Sequence, residues 1–129
     1  MLPWLQGLEE LAVELQVSED RFEALAAQCQ SGLEREVLAA IRDRGLPLPD
    51  AAQKTVYDGD EPLASVDFYY QPRIVVFVDG SPHHRDYVAA ADERKRRRLK
   101  ALGYRILVIA GDALEEALTR LGEWLDLRA

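Results

Sequence analysis

Two aspartates border a hydrophobic hairpin pattern in the middle of the chain. Asp67 falls near the start of the run SVDFYY, and Asp79 near the end of the run RIVVFVDG. If these runs pair in antiparallel fashion, the start of one lies beside the end of the other, so the carboxylates can converge. Convergent carboxylates suit Mg²⁺ or Mn²⁺, which can polarise a phosphodiester and lower the pKa of a bound water. The alternative is that both residues only begin and end strands, as Asp does in ordinary turns.

The chain contains two histidines, His83 and His84, and both follow Asp79 closely. Imidazole exchanges protons near neutral pH, so either side chain could serve as the general base that activates water. The alternative is a solvated pair in a loop. The residues themselves do not distinguish which histidine acts.

A basic segment lies further along the chain. From Arg94 to Arg105 there are seven basic residues and no acidic one. On a helix, Arg94, Lys95, Arg97 and Arg98 could lie along a phosphate backbone, and we expect this helix to flank the acidic site. The alternative is a solvated face that pairs with the acidic C-terminal segment.

The N-terminal third of the sequence has helical spacing of its apolar residues. Residues 4–29 predict two helices, because Ser18 and the acidic residues after it resemble a capped restart. A further helix is expected from Ser31 to the stop signal at Gly45. The segment LPLPDAAQ is predicted to be a loop and YDGDEP a turn.

The period then changes to that of strands. SVDFYY and RIVVFVDG predict a hairpin joined at Gln71-Pro72, and a helix is expected over residues 92–102. The apolar run YRILVIA predicts a third strand, parallel to the second because a crossover helix separates them. A last helix, capped by Asp112, is expected to reach about Leu125. The predicted fold class is α/β, with one mixed sheet and flanking helices.

Length and composition bound the class of protein. With 129 residues, 48% hydrophobic and 30% charged, the chain suits one compact domain. We expect an N-terminal helical extension over residues 1–30 and an α/β domain over residues 31–129. No apolar run is long enough to span a bilayer and the first residues are not basic, so we expect a cytoplasmic protein without a membrane partner. The single cysteine, Cys29, is expected to pack in the core.

The net charge of −7 argues against a protein that coats nucleic acid by bulk attraction. A local basic face can still bind phosphates, because screening limits the reach of distant charges to about 8 Å at physiological salt.

Several motifs resemble known nuclease families. VVFVDGSPHH is similar to the Phe-Val-His-Gly-Cys-Phe-Trp-His segment of the very-short-patch repair endonucleases. SGLEREVLAAIRDRGLPLP, VDFYYQPR and VFVDGSPHH, in this order, resemble more closely the nuclease-like domain at the C-terminus of some bacterial DEAD/DEAH-box helicases. The resemblance covers about residues 31–110 and implies a restriction-endonuclease-like core of the PD-(D/E)XK superfamily.

The resemblance also implies roles for individual residues. Asp67 matches the metal-binding strand aspartate, and Val78 the residue that lends its carbonyl oxygen to the same ion. Glu34 matches the first-helix glutamate that orients a metal-bound water. His84 matches the catalytic histidine of the repair enzymes, whereas His83 fits the helicase-linked pattern better.

The chain departs from the superfamily signature at one place. Where that signature has Glu-x-Lys, this sequence has Phe77 and Asp79. The repair enzymes also lack that glutamate and use histidine instead, so the departure leaves two hypotheses. The first is a Mg²⁺- or Mn²⁺-dependent endonuclease acting on nucleic acid, with DNA as the expected substrate. The second is a catalytically inactive module that binds nucleic acid or docks a partner such as a helicase.

Overall fold

The computed structural model describes the backbone of residues 3–79 and 85–128, and the side chains of residues 10–79 and 93–128. Four strands form one mixed sheet in the order β1-β2-β3-β4, in which β1–β2 and β2–β3 are antiparallel and β3–β4 is parallel. The expected α/β class with flanking helices is therefore confirmed. The elements in chain order are α1 Pro3–Gln28, α2 Gly32–Asp43, β1 Ala51–Asp58, β2 Glu61–Tyr70, β3 Ile74–Asp79, α3 Arg85–Ala101, β4 Arg105–Ala110 and α4 Leu114–Leu127.

The sequence does not predict strand β1, because its first three residues belong to the predicted loop and its last two to the predicted turn. It lies at the edge of the sheet, and most of its side chains are exposed or half-buried. Its two buried residues, Ala52 and Val56, are separated by Lys54, which is exposed, so the alternating pattern typical of a strand is absent. Without that pattern the sequence carries little strand signal.

Three helix boundaries also differ from expectation. α1 continues through Ser18 as one helix, since neither Gly nor Pro interrupts it there. α3 begins at Arg85 rather than at residue 92, because the intervening segment is rich in alanine, a strong helix former. Asp112 lies in a short 3-10 turn, and the N-cap position of α4 is Ala113, without a side-chain cap hydrogen bond.

The sheet separates two hydrophobic cores. The larger core lies between the sheet and the helices α1, α2 and α4, and the smaller one lies between the sheet and α3. Because β3 is covered on both faces, its residues 74–76 are all buried, as the apolar run predicted. No helix within the described ranges combines the length and apolar character needed to cross a bilayer.

The last third of α1 belongs to the larger core. Leu25 and Cys29 are buried there, and Phe22 packs against them, so the packing role expected for Cys29 agrees with its position. The division into residues 1–30 and 31–129 stays a prediction. The outer part of α1 differs from its last third, since Leu11 and Leu15 are exposed there.

This contrast predicts unequal effects of leucine truncation along α1. Leu25→Ala should lower the free energy of unfolding by about 2–3 kcal/mol, because it leaves a cavity in the larger core. Leu15→Ala, at a side chain 58% exposed, should change it by less than about 0.5 kcal/mol. Urea denaturation of both variants measures the difference. Equal effects would mean that α1 does not pack against the sheet as described.

Candidate functional site

The buried side chains of β1 and β2 switch from one face of the sheet to the other, and both strands do so at the same level of the sheet. Val66 packs in the smaller core, yet Phe68, two residues later, packs in the larger one. Regular alternation would place both on one face, so β2 is irregular at Asp67. Its neighbour in β1, Gln53, has a φ of 49°, in the left-handed region that few non-glycine residues adopt. The two irregular residues therefore lie between Ala52↔Phe68 and Lys54↔Val66, the Cα pairs that flank them.

The irregularity directs both polar side chains toward α2, where they meet Glu34. Gln53 Nε2 donates one hydrogen bond to Glu34 Oε1 and another to Asp67 Oδ1, the latter at 3.2 Å. Glu34 is only 5% exposed and is the sole charged residue among the buried residues that the structure describes. We call Glu34, Gln53 and Asp67 the acidic cluster.

The second oxygen of Asp67 binds the backbone of β3. The Val78 N–H donates to Asp67 Oδ2 at 2.7 Å, beyond the last Cα pair of the β2–β3 ladder, Phe68↔Val76. In an extended strand the N–H and C=O of one residue point to the same side, so the Val78 carbonyl also faces Asp67's strand. Asp67 thus connects β3 to the other two residues of the acidic cluster, Glu34 and Gln53.

Glu34 also has a structural role at the start of α2. The Ser31 hydroxyl accepts from the Glu34 N–H at 3.1 Å, and Glu34 Oε2 accepts from the Gln30 N–H at 3.0 Å. This arrangement is close to a capping box, which satisfies N–H groups that a helix N-terminus leaves unbonded. One carboxylate oxygen of Glu34 is therefore used by the cap, and the other faces Gln53.

Burial raises the pKa of the Asp67 carboxyl above its usual value of 3.8, and the nearby Glu34 carboxyl raises it further. The hydrogen bonds from Val78 and Gln53 act in the opposite direction because they favour the charged form. Burial also raises the pKa of the Cys29 thiol, with a smaller contribution from Glu34. The acidic cluster is therefore a place where negative charge is costly.

Asp79, the other predicted metal ligand, ends β3 and is half-buried. Val76 and Val78 pack in the larger core, whereas Val75 and Phe77 pack in the smaller one, so alternation assigns Asp79 to the face of Phe77. The acidic cluster faces α2 on the other side. The hairpin thus does not by itself bring the two aspartates together, and their joint binding of an ion stays a prediction.

Both predicted histidines, His83 and His84, lie outside the described residues. Among the residues that are described, no three His, Cys, Asp or Glu side chains form a group that could hold a metal ion. The structure brings together two of the predicted residues, Glu34 and Asp67, and places the backbone of a third, Val78, beside them.

The basic helix α3 lies on the face of the sheet opposite the acidic cluster, with Leu99 anchored in the smaller core. The expectation that it flanks the cluster is therefore wrong for the part whose side chains are described. Arg98 binds Asp58 and Glu61 at 3.3 and 3.1 Å, near the turn of the β1–β2 hairpin. The acidic partners of Arg98 thus come from this hairpin rather than from α4. Arg94, Lys95 and Arg97 are exposed to solvent.

Gln53 is the member of the cluster that sequence reasoning missed. Gln53 lies in the predicted loop LPLPDAAQ, and glutamine carries no local signal for a positive φ, unlike glycine or asparagine. Its role depends on the meeting of β1, β2 and α2, which are distant in sequence.

Comparisons with known proteins identify no relative. No family model, no curated protein and no solved structure matches the chain significantly.

The raised pKa of Asp67 predicts a dependence of stability on pH. A carboxyl whose pKa is raised by folding favours the folded state while it is protonated, and this contribution is lost as pH rises through the folded-state pKa. Relative to the parent, Asp67→Asn should therefore gain stability as pH rises from about 4 towards 7. Urea denaturation over that range measures the gain, with Asp126→Asn, at an exposed carboxylate of α4, as the control. If Asp67→Asn instead lost stability relative to the parent over this pH range, the cluster would favour the charged carboxylate.

Proposed function

We propose that the chain is a restriction-endonuclease-like module that binds Mg²⁺ or Mn²⁺ at Glu34 and Asp67. The observation that carries this proposal is the convergence of the two carboxylates on one atom, the Gln53 amide nitrogen. The four-stranded mixed sheet with helices on both faces is compatible with the fold that the resemblance implies. Glu34 and Asp67 are also two residues to which the resemblance assigns metal-site roles.

The donor atoms fit a hard divalent cation. Two carboxylates and the Val78 carbonyl would supply the oxygen ligands that Mg²⁺ and Mn²⁺ prefer. Because the pKa of Asp67 is raised by burial and by Glu34, a cation would relieve the unfavourable negative charge. When bound in such a site, the metal lowers the pKa of a coordinated water and stabilises charge on a phosphodiester.

The proposed reaction is hydrolysis of phosphodiester bonds in nucleic acid, with DNA as the expected substrate. In this proposal Glu34, Asp67 and the Val78 carbonyl would hold the ion, Glu34 would also orient a metal-bound water, and His83 or His84 would move the proton. Asp79 directly precedes the segment that contains the histidines, so its contribution is tested separately by Asp79→Asn.

A second candidate function is a catalytically inactive module that binds nucleic acid or docks a partner such as a helicase. Gln53 favours this candidate, since its amide donates to both carboxylates and so satisfies them without a metal. Phe77 favours it too, because the residue in the place of the superfamily glutamate packs in the smaller core. A metal titration and a cleavage assay together separate the two candidates.

Metal binding should stabilise the folded chain. A ligand that binds only the folded state raises the unfolding free energy by about 2.7 kcal/mol at a hundredfold excess over its Kd. Mg²⁺ or Mn²⁺ should therefore raise the Tm of the parent, whereas Asp67→Asn and Glu34→Gln should lose this shift. Differential scanning fluorimetry measures it, with Asp126→Asn as a control that keeps the shift. An equal shift in the parent and in Asp67→Asn would rule out a metal site at the cluster.

The histidines belong to the chemical step, so His83→Ala combined with His84→Ala should keep the metal-induced Tm shift and abolish cleavage. Supercoiled plasmid incubated with Mg²⁺, Mn²⁺ or EDTA reports cleavage directly. A parent protein that shows the shift but leaves the plasmid intact would favour the second candidate.

The exposed residues of α3 should bind the phosphate backbone. Arg94→Glu combined with Arg97→Glu should weaken DNA binding, and each lost phosphate contact should flatten the slope of log K against log salt by about 0.9. Fluorescence anisotropy measures both effects. As a matched pair of single reversals, Arg97→Glu on α3 should weaken binding, whereas the control Arg120→Glu on α4 should not. Unchanged affinity at low salt would identify this face of α3 as a solvated surface only.

A further inference from the structure

The outer part of α1 carries an apolar surface that the rest of the described chain leaves uncovered. Every side chain from Glu10 to Asp20 is exposed, and Leu11 and Leu15 are 51% and 58% exposed. In contrast, Leu25 and Cys29 near the end of the same helix are buried in the larger core. Within the part of α1 whose side chains are described, only the last third therefore packs against the sheet.

The exposed and buried residues lie on one continuous stripe. Leu11, Leu15, Phe22, Leu25 and Cys29 follow one another at intervals of four, seven, three and four residues. Residues at these intervals share one face of a helix, and this spacing is the one that two-helix coiled coils use. The face that packs inside the molecule thus continues outward, where it has the pattern of a helix-binding seam.

The charge around the stripe favours a particular partner. The first 20 residues contain five acidic residues and no basic one, and the first basic residue is Arg21. Glu10 and Glu14 lie along one side of the Leu11–Leu15 stripe by helical spacing. A second copy of this helix would place like charges beside one another, whereas a basic rim would complement them.

We propose that the stripe formed by Leu11 and Leu15 binds a basic amphipathic helix of a partner protein. The partner's apolar residues pack against the two leucines, and its Lys or Arg residues face Glu10 and Glu14. One helix pair of this length buries a small area, so the complex is weak and reversible. This inference does not depend on the metal site.

Two synthetic peptides test the proposal on the full chain. Both have about four heptads with Leu at the a and d positions; one carries Lys at the e and g positions, and the other carries Glu there. The parent should bind the Lys peptide at least about tenfold more tightly than the Glu peptide, as measured by fluorescence anisotropy.

Two matched double variants separate the stripe from general attraction to an acidic protein. Leu11→Asp with Leu15→Asp should weaken binding of the Lys peptide at least about tenfold. Val13→Asp with Val17→Asp adds the same charge at exposed residues on the opposite face and should retain binding. All four side chains are more than half exposed, so both variants should keep the parent's Tm.

Charge reversal provides an independent test. Glu10→Lys with Glu14→Lys should invert the preference, so that the Glu peptide binds more tightly. Equal binding of the two peptides to the parent, or equal loss in the two aspartate variants, would overturn the proposal. So would a dimer of the parent in sedimentation velocity that Leu11→Asp with Leu15→Asp dissociates, since that result would assign the stripe to a second copy.

Discussion

The bridge made by the Gln53 amide between Glu34 and Asp67 connects three elements that are far apart in the chain. A buried carboxylate without hydrogen bonds or a counter-charge is strongly destabilising, so Glu34 could not be buried without such partners. The bridge and the cap of α2 supply them, and Val78 supplies one more for Asp67. Together they fix α2 against the sheet at the point where β1 and β2 change face.

That change of face explains how one sheet serves two cores. On one side of it Ala52 and Phe68 pack in the larger core, and on the other side Val56 and Val66 pack in the smaller core. The positive φ of Gln53 is unfavourable by itself, by about 1–3 kcal/mol, and it persists because the surrounding packing holds it. Strained backbone of this kind is often found at functional sites. The same residue therefore shapes the sheet and lies at the centre of the proposed site.

The parts of the fold that follow a regular period could be predicted from the sequence. β3 and β4 form continuous apolar runs, and their parallel pairing follows from the crossover helix between them. β1 could not be predicted, because the change of face at Gln53 removes its alternation. Asp67 is predicted from the hairpin pattern as well as from a resemblance, and Glu34 from the resemblance alone, whereas their meeting at Gln53 depends on contacts between distant segments. Strand alternation assigns Asp79 to the face of Phe77, so the convergence of Asp79 with Asp67 that the strand ends suggest stays a prediction.

The Gln53 amide is compatible with both proposed functions. In the metal-binding module an ion would replace the amide between the two carboxylates, whereas in the inactive module the amide takes the place of the ion. The direct measurement is the anomalous diffraction of crystals soaked in Mn²⁺. The metal-site account predicts one anomalous peak about 2 Å from Glu34 Oε1 and an Asp67 oxygen, with the Gln53 amide nitrogen displaced from its bridging position. An undisturbed bridge without an anomalous peak, at Mn²⁺ concentrations that support nucleases, would contradict it.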